Sequence, residues 1–176
     1  MNDSKTFPAR LLRLAKTIDS LAEKDELAMR QASEIAGLRR QAAAQLFAEC
    51  AEFVAALNQV LAHPVVILDP LAFPPEAFRD GGVNLIQIHV RGRILQIEFE
   101  STPELLSTED FRIPYTLSGS VRAFNQAMLD QVLIEEQLIF YTVEKDHNQW
   151  RYFDARTYRS GSLNRDYLLG IMTEIV

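Results

Sequence analysis

The amino-acid sequence predicts an α+β protein: a long, coiled-coil-like N-terminal helix, then a mostly antiparallel sheet of about five to six strands with two further helices. The stretch from Ala9 to Leu61 has no proline and a single glycine, which is typical of one long helix. Two later stretches alternate apolar and polar residues as antiparallel hairpins do, and two shorter ones have helical spacing. The expected order of elements is α-β-β-β-β-α-β-β-α.

Charge divides the chain into two parts, residues 1–62, taken as an association element, and residues 63–176, the head domain. The first part carries 8 basic and 8 acidic residues and the second 10 and 16, so the head holds the whole net charge of −6. An acidic head is a poor match for nucleic acid, because such binding depends on neutralising phosphates. A lone cysteine, no secretory leader and no apolar run long enough to span a bilayer predict a cytoplasmic protein without membrane partners.

The long helix carries an apolar seam with alternating spacings of three and four residues, the pattern of a left-handed coiled coil. Its members are Leu14, Ile18, Leu21, Ala28, Ala32 and Ile35, and the pattern continues through Ala42, Leu46 and Phe53. Asp25 and Arg39 occupy seam positions and interrupt it. Gly37 leaves a kink or a short helical hairpin open, and we favour one long, bent helix. Beyond Leu46 the apolar arc widens, as expected where the helix docks onto its own head domain.

The head domain is expected to begin with a short strand at residues 65–68, a loop at 70–82 and a hairpin at 84–100. Placing Gly92-Arg93 at the tip of a type II′ turn sets Val90 opposite Leu95, Ile88 opposite Ile97 and Ile86 opposite Phe99. The other face then pairs His89 with Gln96, Gln87 with Glu98 and Leu85 with Glu100. This register sorts apolar and polar side chains onto separate faces.

A third strand is predicted from the alternation of Phe111, Ile113, Tyr115 and Leu117. Pro114 within it predicts an edge position, because proline removes a donor from the ladder. Ser118 or Ser120 is then expected to cap a helix that ends near residues 133–136. The apolar side of that helix would carry Val121, Phe124, Met128, Leu129 and Val132.

A second hairpin is predicted with residues 145–148 as its loop. In this register Glu144 faces Gln149, Val143 faces Trp150, Tyr141 faces Tyr152 and Ile139 faces Asp154, which gives an aromatic ladder on one face. Asn164 or Ser162 is expected to cap a terminal helix that packs Leu168, Ile171, Met172 and Ile175 on the sheet.

No motif in the chain names a reaction. His63, His89 and His147 do not have the spacing of a metal site, and Cys50 falls in an apolar helical stripe. Glu98 and Glu100 lie two residues apart on one strand face, but the acids around them favour a solvated rim over acid–base chemistry. The serines near turns suit capping better than nucleophilic attack. We therefore expect no catalytic residue, cofactor or metal.

Residues 151–162 differ from the rest of the chain in composition, since three arginines and two tyrosines stand beside a Gly-Ser pair. Arg151, Arg156, Tyr158 and Arg159 have the chemistry to bind a carboxylate, a phosphate or an acidic peptide through bidentate guanidinium contacts. We favour the alternative, in which these arginines pair with Asp154, Asp166 and the acidic strands of their own domain.

Three functions remain open at this point. The favoured one is a non-enzymatic scaffold or assembly subunit, a homo-oligomer or part of a hetero-complex, whose seam pairs with itself or with a partner protein. Its head would present residues 151–162 or the edge strand at 111–117 to a further partner. The second is an acidic secretion- or assembly-type chaperone that holds an extended client. The third is a small enzyme or anion-binding module built on residues 151–162.

In element order alone, the head resembles dimeric acidic secretion chaperones, with helices before, within and after a mostly antiparallel sheet. The long helix leading into a small α+β head is similar to kinetochore-type scaffold proteins. Both resemblances imply protein partners, and neither assigns a role to a residue of this chain.

Overall fold

A computed structural model describes residues 6–109, 111–131 and 134–176, with the side chains of residues 104 and 106 excepted. Within these residues the helices are α1 (Thr6–Val60), α2 (Gln126–Asp130) and α3 (Arg165–Thr173), with a short 3-10 helix at Pro75–Ala77. The strands are β1 (Val66–Asp69), β2 (Asn84–Val90), β3 (Arg93–Leu106), β4 (Tyr115–Phe124), β5 (Glu136–Val143), β6 (Asn148–Asp154) and β7 (Arg159–Ser162). The predicted α+β class is confirmed, with seven strands in the described residues instead of five or six.

The seven strands form one antiparallel sheet in which neighbours in sequence are neighbours in space, from β1 at one edge to β7 at the other. The chain divides into two compact units, Met1–Gly37 and Leu38–Val176. The first unit, described from Thr6 onward, is helix alone. The second unit contains the remainder of α1 together with the whole sheet, α2 and α3. Gly37 is itself helical.

The core of the second unit lies on one face of the sheet. The strand residues on this face alternate along each strand and include Ile86, Ile88, Leu95, Ile97, Phe99, Leu117, Val121, Ile139, Tyr141 and Trp150. They pack against Ala42, Ala43, Leu46, Cys50 and Phe53 of α1 and against Leu168 and Met172 of α3. Trp150 Nε1 also donates to the carbonyl oxygen of Ala42 at 2.8 Å. Apolar burial and a hydrogen bond therefore both fix this part of α1 on the sheet.

The outer side of the edge strand β1 is occupied by a side chain of α1. Asn58 Nδ2 donates to Val66 O at 2.9 Å, and Asn58 Oδ1 accepts from Val66 N at 3.1 Å. The amide of one asparagine thus satisfies both backbone groups of Val66, as a neighbouring strand would do.

The first hairpin turns one residue earlier than predicted. Its tip is Arg91-Gly92, with φ values of 45° and 80°; a type I′ turn requires two positive φ values, whereas the predicted type II′ turn requires one. The register slips by two residues, so Val90 faces Arg93, Ile88 faces Leu95, Ile86 faces Ile97, Asn84 faces Phe99, His89 faces Ile94, Gln87 faces Gln96 and Leu85 faces Glu98. Because two residues are one full period of a strand, each side chain keeps its predicted face.

The second hairpin shows the same slip. Its four-residue loop is 144–147 instead of 145–148, and the observed pairs are Val143 with Asn148, Thr142 with Gln149, Tyr141 with Trp150 and Ile139 with Tyr152. Side chains close this turn: Asn148 Oδ1 accepts from Glu144 N at 3.2 Å, and Thr142 Oγ1 donates to the Glu144 carboxylate at 2.9 Å. Such local side-chain bonds select one register among those with the same alternation.

The predicted edge position of the strand around Pro114 is wrong. Strand β4 begins at Tyr115, one residue after the proline, and lies between β3 and β5 in the middle of the sheet. The missing amide donor therefore falls outside the ladder, while Pro114 O accepts from Val143 N at 2.8 Å. Because β4 is paired on both sides, it offers no edge for the addition of a partner strand.

The helix predicted from Ser118 or Ser120 is instead the end of β4 followed by the short helix α2. The N-cap of α2 is Asn125, whose Oδ1 accepts from Met128 N at 3.0 Å. The spacing of Val121 and Phe124 fits a helix, but pairing with β3 and β5 decides in favour of a strand. Gly119 is required there, because a Cβ would overlap the carbonyl oxygen of Glu98. Val132 and Leu133 lie outside the described residues, and Glu136, the last residue of the predicted helix end, is the first residue of β5.

Residues 159–162 form β7, where the sequence predicted only a connection. Gly161 permits this pairing, since a Cβ at that position would lie 2.9 Å from the ring of Tyr152. The terminal helix is confirmed: Asn164 Oδ1 caps it by accepting from Tyr167 N at 3.0 Å, and Leu168 and Met172 are buried.

Candidate functional site

The seam of the first unit lies on the surface. Five of its six residues are exposed and Ile35 is half-buried; the six are Leu14, Ile18, Leu21, Ala28, Ala32 and Ile35. Phe7 and Leu11 continue the same spacing toward the start of α1 and are also exposed. The sequence carried this signal, but the seam was predicted only from Leu14. A unit made of one helix has no apolar surface of its own against which these residues could be buried.

A second row of apolar residues widens the seam. Ala15, Ala22, Met29 and Ala36 recur every seven residues, each directly after a seam residue. An apolar face of this width is typical of a helix in a bundle, whereas a two-stranded coiled coil needs only the seam. We call the two rows together, from Phe7 to Ala36, the helix stripe.

The two charged residues that interrupt the seam differ in their surroundings. Asp25 is exposed within the helix stripe. Arg39 belongs to the second unit, and its side chain is only 11% exposed. Arg39 Nε donates to Thr116 Oγ1 at 2.8 Å, one terminal nitrogen donates to Asp80 Oδ1 at 3.1 Å, and the other donates to Thr102 O. Arg39 therefore marks the point at which α1 begins to dock on the sheet.

The four residues singled out at 151–162 are not gathered around one ligand position. Arg156 binds Glu135 through both terminal nitrogens, at 2.7 and 2.9 Å, and Glu135 raises the pKa of the guanidinium. Arg151 lies 4.0 Å from Glu144, while Tyr158 and Arg159 are exposed. The internal pairing expected for these arginines is thus present at Arg151 and Arg156. Arg156 Nε lies 3.8 Å from the expected partner Asp154, and Glu135 and Glu144 are the other partners; Asp166 forms no ion pair with the described arginines of this segment.

The turn between β6 and β7 is built by Asp154. Its carboxylate accepts from Arg156 N at 2.9 Å, and this hydrogen bond holds the pKa of Asp154 below its usual range. Tyr158 adopts a φ of 55° and its ring packs edge-on against Phe153, with 6.2 Å between the ring centroids. These contacts stabilise a turn.

The remaining candidates do not form a reactive site. Burial raises the pKa of Cys50 to about 12, so its thiol stays protonated and unreactive at neutral pH. His89 Nε2 lies 3.2 Å from Gln87 Oε1. In the described part of the chain, no group of three His, Cys, Asp or Glu side chains could hold a metal ion. None of the helices described combines the length and the apolar character that crossing a bilayer demands.

The face of the sheet opposite the core carries a groove of about 550 Å³. Strands β3 to β6 form its floor, and residues that precede β4 form a wall. Phe111, Tyr115, Phe140 and Phe153 pack together at one end, with ring centroids 4.4 Å apart for Phe111 and Phe140. Phe153 and Ala155 of the 151–162 segment line the groove, whereas the four residues singled out there, all described, do not.

Comparison of the chain with protein-family models, with curated proteins and with solved structures found no match.

Proposed function

We propose that this protein is a non-enzymatic assembly subunit of the cytoplasm that associates through the helix stripe and carries the α+β domain as its second module. The observation that supports this most directly is the exposed apolar stripe on a unit without a core. Burial of apolar surface stabilises association by about 25 cal/mol per Å², so a stripe about eight turns long is a strong driving force for helix pairing.

A second copy of the same helix is the partner that we propose. Residues 1–62 carry equal numbers of basic and acidic side chains, so identical helices meet without net charge repulsion. The alanines at positions 15, 22 and 36 let helices approach closely and favour a bundle. Pairing with a helix of another protein would use the same surface and is the alternative.

Paired leucine substitutions test this proposal. Leu14 and Leu21 lie on the stripe and are 56% and 53% exposed, while Leu12 and Leu27 lie on the opposite side of α1 and are 59% and 53% exposed. We expect Leu14→Glu with Leu21→Glu to dissociate the full-length protein to monomers, because charges replace buried leucines at the interface. Leu12→Glu with Leu27→Glu adds the same charge and should leave the mass unchanged.

Sedimentation equilibrium over a range of concentrations measures these masses. Equal masses for the two double variants would contradict association through the stripe. A wild-type chain that is monomeric at every concentration would contradict self-association. Proteins that co-purify with the wild type and with the Leu12/Leu27 variant, but not with the Leu14/Leu21 variant, would then identify a partner helix.

A chaperone that holds an extended client is the second candidate. It is supported by large apolar side chains that the second unit exposes, among them Ile67, Leu71, Val83 and Leu85. An Ile67→Ser and Leu85→Ser variant should then lose the ability to suppress aggregation of an unfolded client. An anion-binding or enzymatic role for residues 151–162 has less support, because Arg156 would first have to exchange Glu135 for the ligand.

A further inference from the structure

We propose that the groove on the open face of the sheet binds a small amphipathic cation, an ammonium or guanidinium group joined to an apolar body. The proposal is independent of the helix stripe and adds a ligand site to the second unit. A volume of about 550 Å³ lies within the usual range of small-molecule pockets.

The strand register arranges the floor of the groove as a gradient of polarity. Two rows of cross-strand neighbours cross the sheet from β3 to β6: Glu98, Ser120, Leu138 and Phe153 in one row, and Glu100, Ser118, Phe140 and Arg151 in the other. Arg151, at the β6 end of the second row, does not line the groove. Adjacent strands lie about 4.8 Å apart, so the surface changes from carboxylate through hydroxyl to apolar within about 10 Å. A ligand with one polar end and one apolar end fits across the strands.

The polar end of the groove has negative charge that the protein itself does not neutralise. Among the described residues, no basic side chain lies within 4.0 Å of the carboxylate of Glu98 or Glu100. The third acid of the lining, Glu136, is paired with Arg122 at 2.6 Å. Two residues apart on one strand, Glu98 and Glu100 have Cα atoms separated by about 7 Å, a spacing at which both can contact one cationic group.

The middle and the far end of the groove also suit an amphipathic cation. Ser118 and Ser120 line it, and in the described part of the chain neither hydroxyl has a hydrogen-bond partner, so both can accept from an ammonium group. Phe140 and Phe111 then offer stacked rings to the apolar body of the ligand. An anion would be repelled by the two carboxylates, and a neutral ligand would leave them without a partner.

A matched set of three probes tests the charge preference: phenylbutylamine, phenylbutanol and phenylpentanoate share an aromatic body and differ in the polar end. We expect the amine to bind, with shifts of the backbone amide signals of Ser118, Gly119 and Ser120 in NMR spectra of the full-length protein. The alcohol should bind more weakly, and the carboxylate should not bind. No shift with the amine, or equal binding of amine and carboxylate, would overturn the proposal.

Paired substitutions locate the site. Glu98→Gln with Glu100→Gln keeps the size of both side chains and should weaken amine binding by about tenfold or more in calorimetric titrations. Glu26→Gln with Glu34→Gln removes the same charge from α1 and should leave the affinity unchanged. Near-ultraviolet circular dichroism confirms that each variant is folded. Unchanged affinity in the groove variant, or an equal loss in the α1 variant, would contradict binding in the groove.

Discussion

Arg39 breaks the apolar pattern of α1 and satisfies acceptors on the sheet. Its guanidinium reaches a threonine hydroxyl, a carboxylate and a backbone carbonyl at once, which the planar fork of arginine permits and a lysine could not reproduce. The sequence revealed that Arg39 interrupts the seam. It could not predict the three contacts of Arg39, because Asp80, Thr102 and Thr116 are distant in the chain.

We expect Arg39→Leu to lower the free energy of unfolding by about 2 to 4 kcal/mol, although the substitution restores the seam. The buried Thr116 hydroxyl and the Thr102 carbonyl would each lose the hydrogen bond from the guanidinium, which a leucine cannot replace. Arg40→Leu is the control, since Arg40 is the exposed neighbour and loses the same charge. Urea denaturation measures both; similar midpoints for the two variants would show that the Arg39 contacts contribute little.

At the scale of elements, the tip of the first hairpin holds an ordinary residue in an unfavourable backbone conformation. Arg91 has a φ of 45°, a left-handed conformation that costs an ordinary residue about 1 kcal/mol and costs asparagine less. The following Gly92 adopts its φ of 80° without such a cost.

Arg91→Asn should therefore stabilise the protein by about 0.5 to 1 kcal/mol, and Arg91→Val should destabilise it. Thermal unfolding followed by circular dichroism measures both changes. Lys145→Asn, in the exposed loop of the other hairpin, should have little effect. A lower midpoint for Arg91→Asn than for the wild type would contradict the type I′ assignment.

These elements also show which parts of the fold the sequence could predict. Alternation predicted the faces of both hairpins, yet a slip of two residues preserves alternation, so Val90 and Val143 were assigned to the wrong partners. Val121 and Phe124 fit a helix as well as a strand, and only the pairing of β4 with β3 and β5 separates the two.

The two candidate sites also differ in how far the sequence could predict them. The helix stripe depends on spacing within one helix, and its seam was predicted from Leu14 to Ile35. The groove depends on the register of four strands and on Thr108 and Phe111, which precede β4 in the chain. The predicted register put Glu98 opposite Gln87, and Ser120 was a candidate cap of a predicted helix, so the row from Glu98 to Phe153 could not be recognised.

At the scale of the whole molecule, the two compact units predict where the chain can be shortened. Residues 38–176 retain Ala42, Ala43 and Leu46, which are fully buried in the core. A cut after residue 45 removes both alanines, including the carbonyl of Ala42 that accepts from Trp150.

We expect residues 38–176 to unfold cooperatively, close to the midpoint of the full chain, and to remain monomeric. Residues 46–176 should be destabilised by about 3 kcal/mol or more, because burial and a hydrogen bond are lost together. Trp150 fluorescence during urea titration reports on both. An unfolded 38–176 fragment would show that the first unit is needed for the stability of the second.

The asparagine at position 58 has a consequence for the self-association that we propose. Assembly raises the local concentration of exposed sheet margins, and a margin with free peptide groups can template fibril growth. The amide of Asn58 already occupies both peptide groups of Val66, so an incoming strand must displace it before it can join the sheet there. Under the proposed association through α1, this end of the sheet would therefore resist conversion to an aggregate.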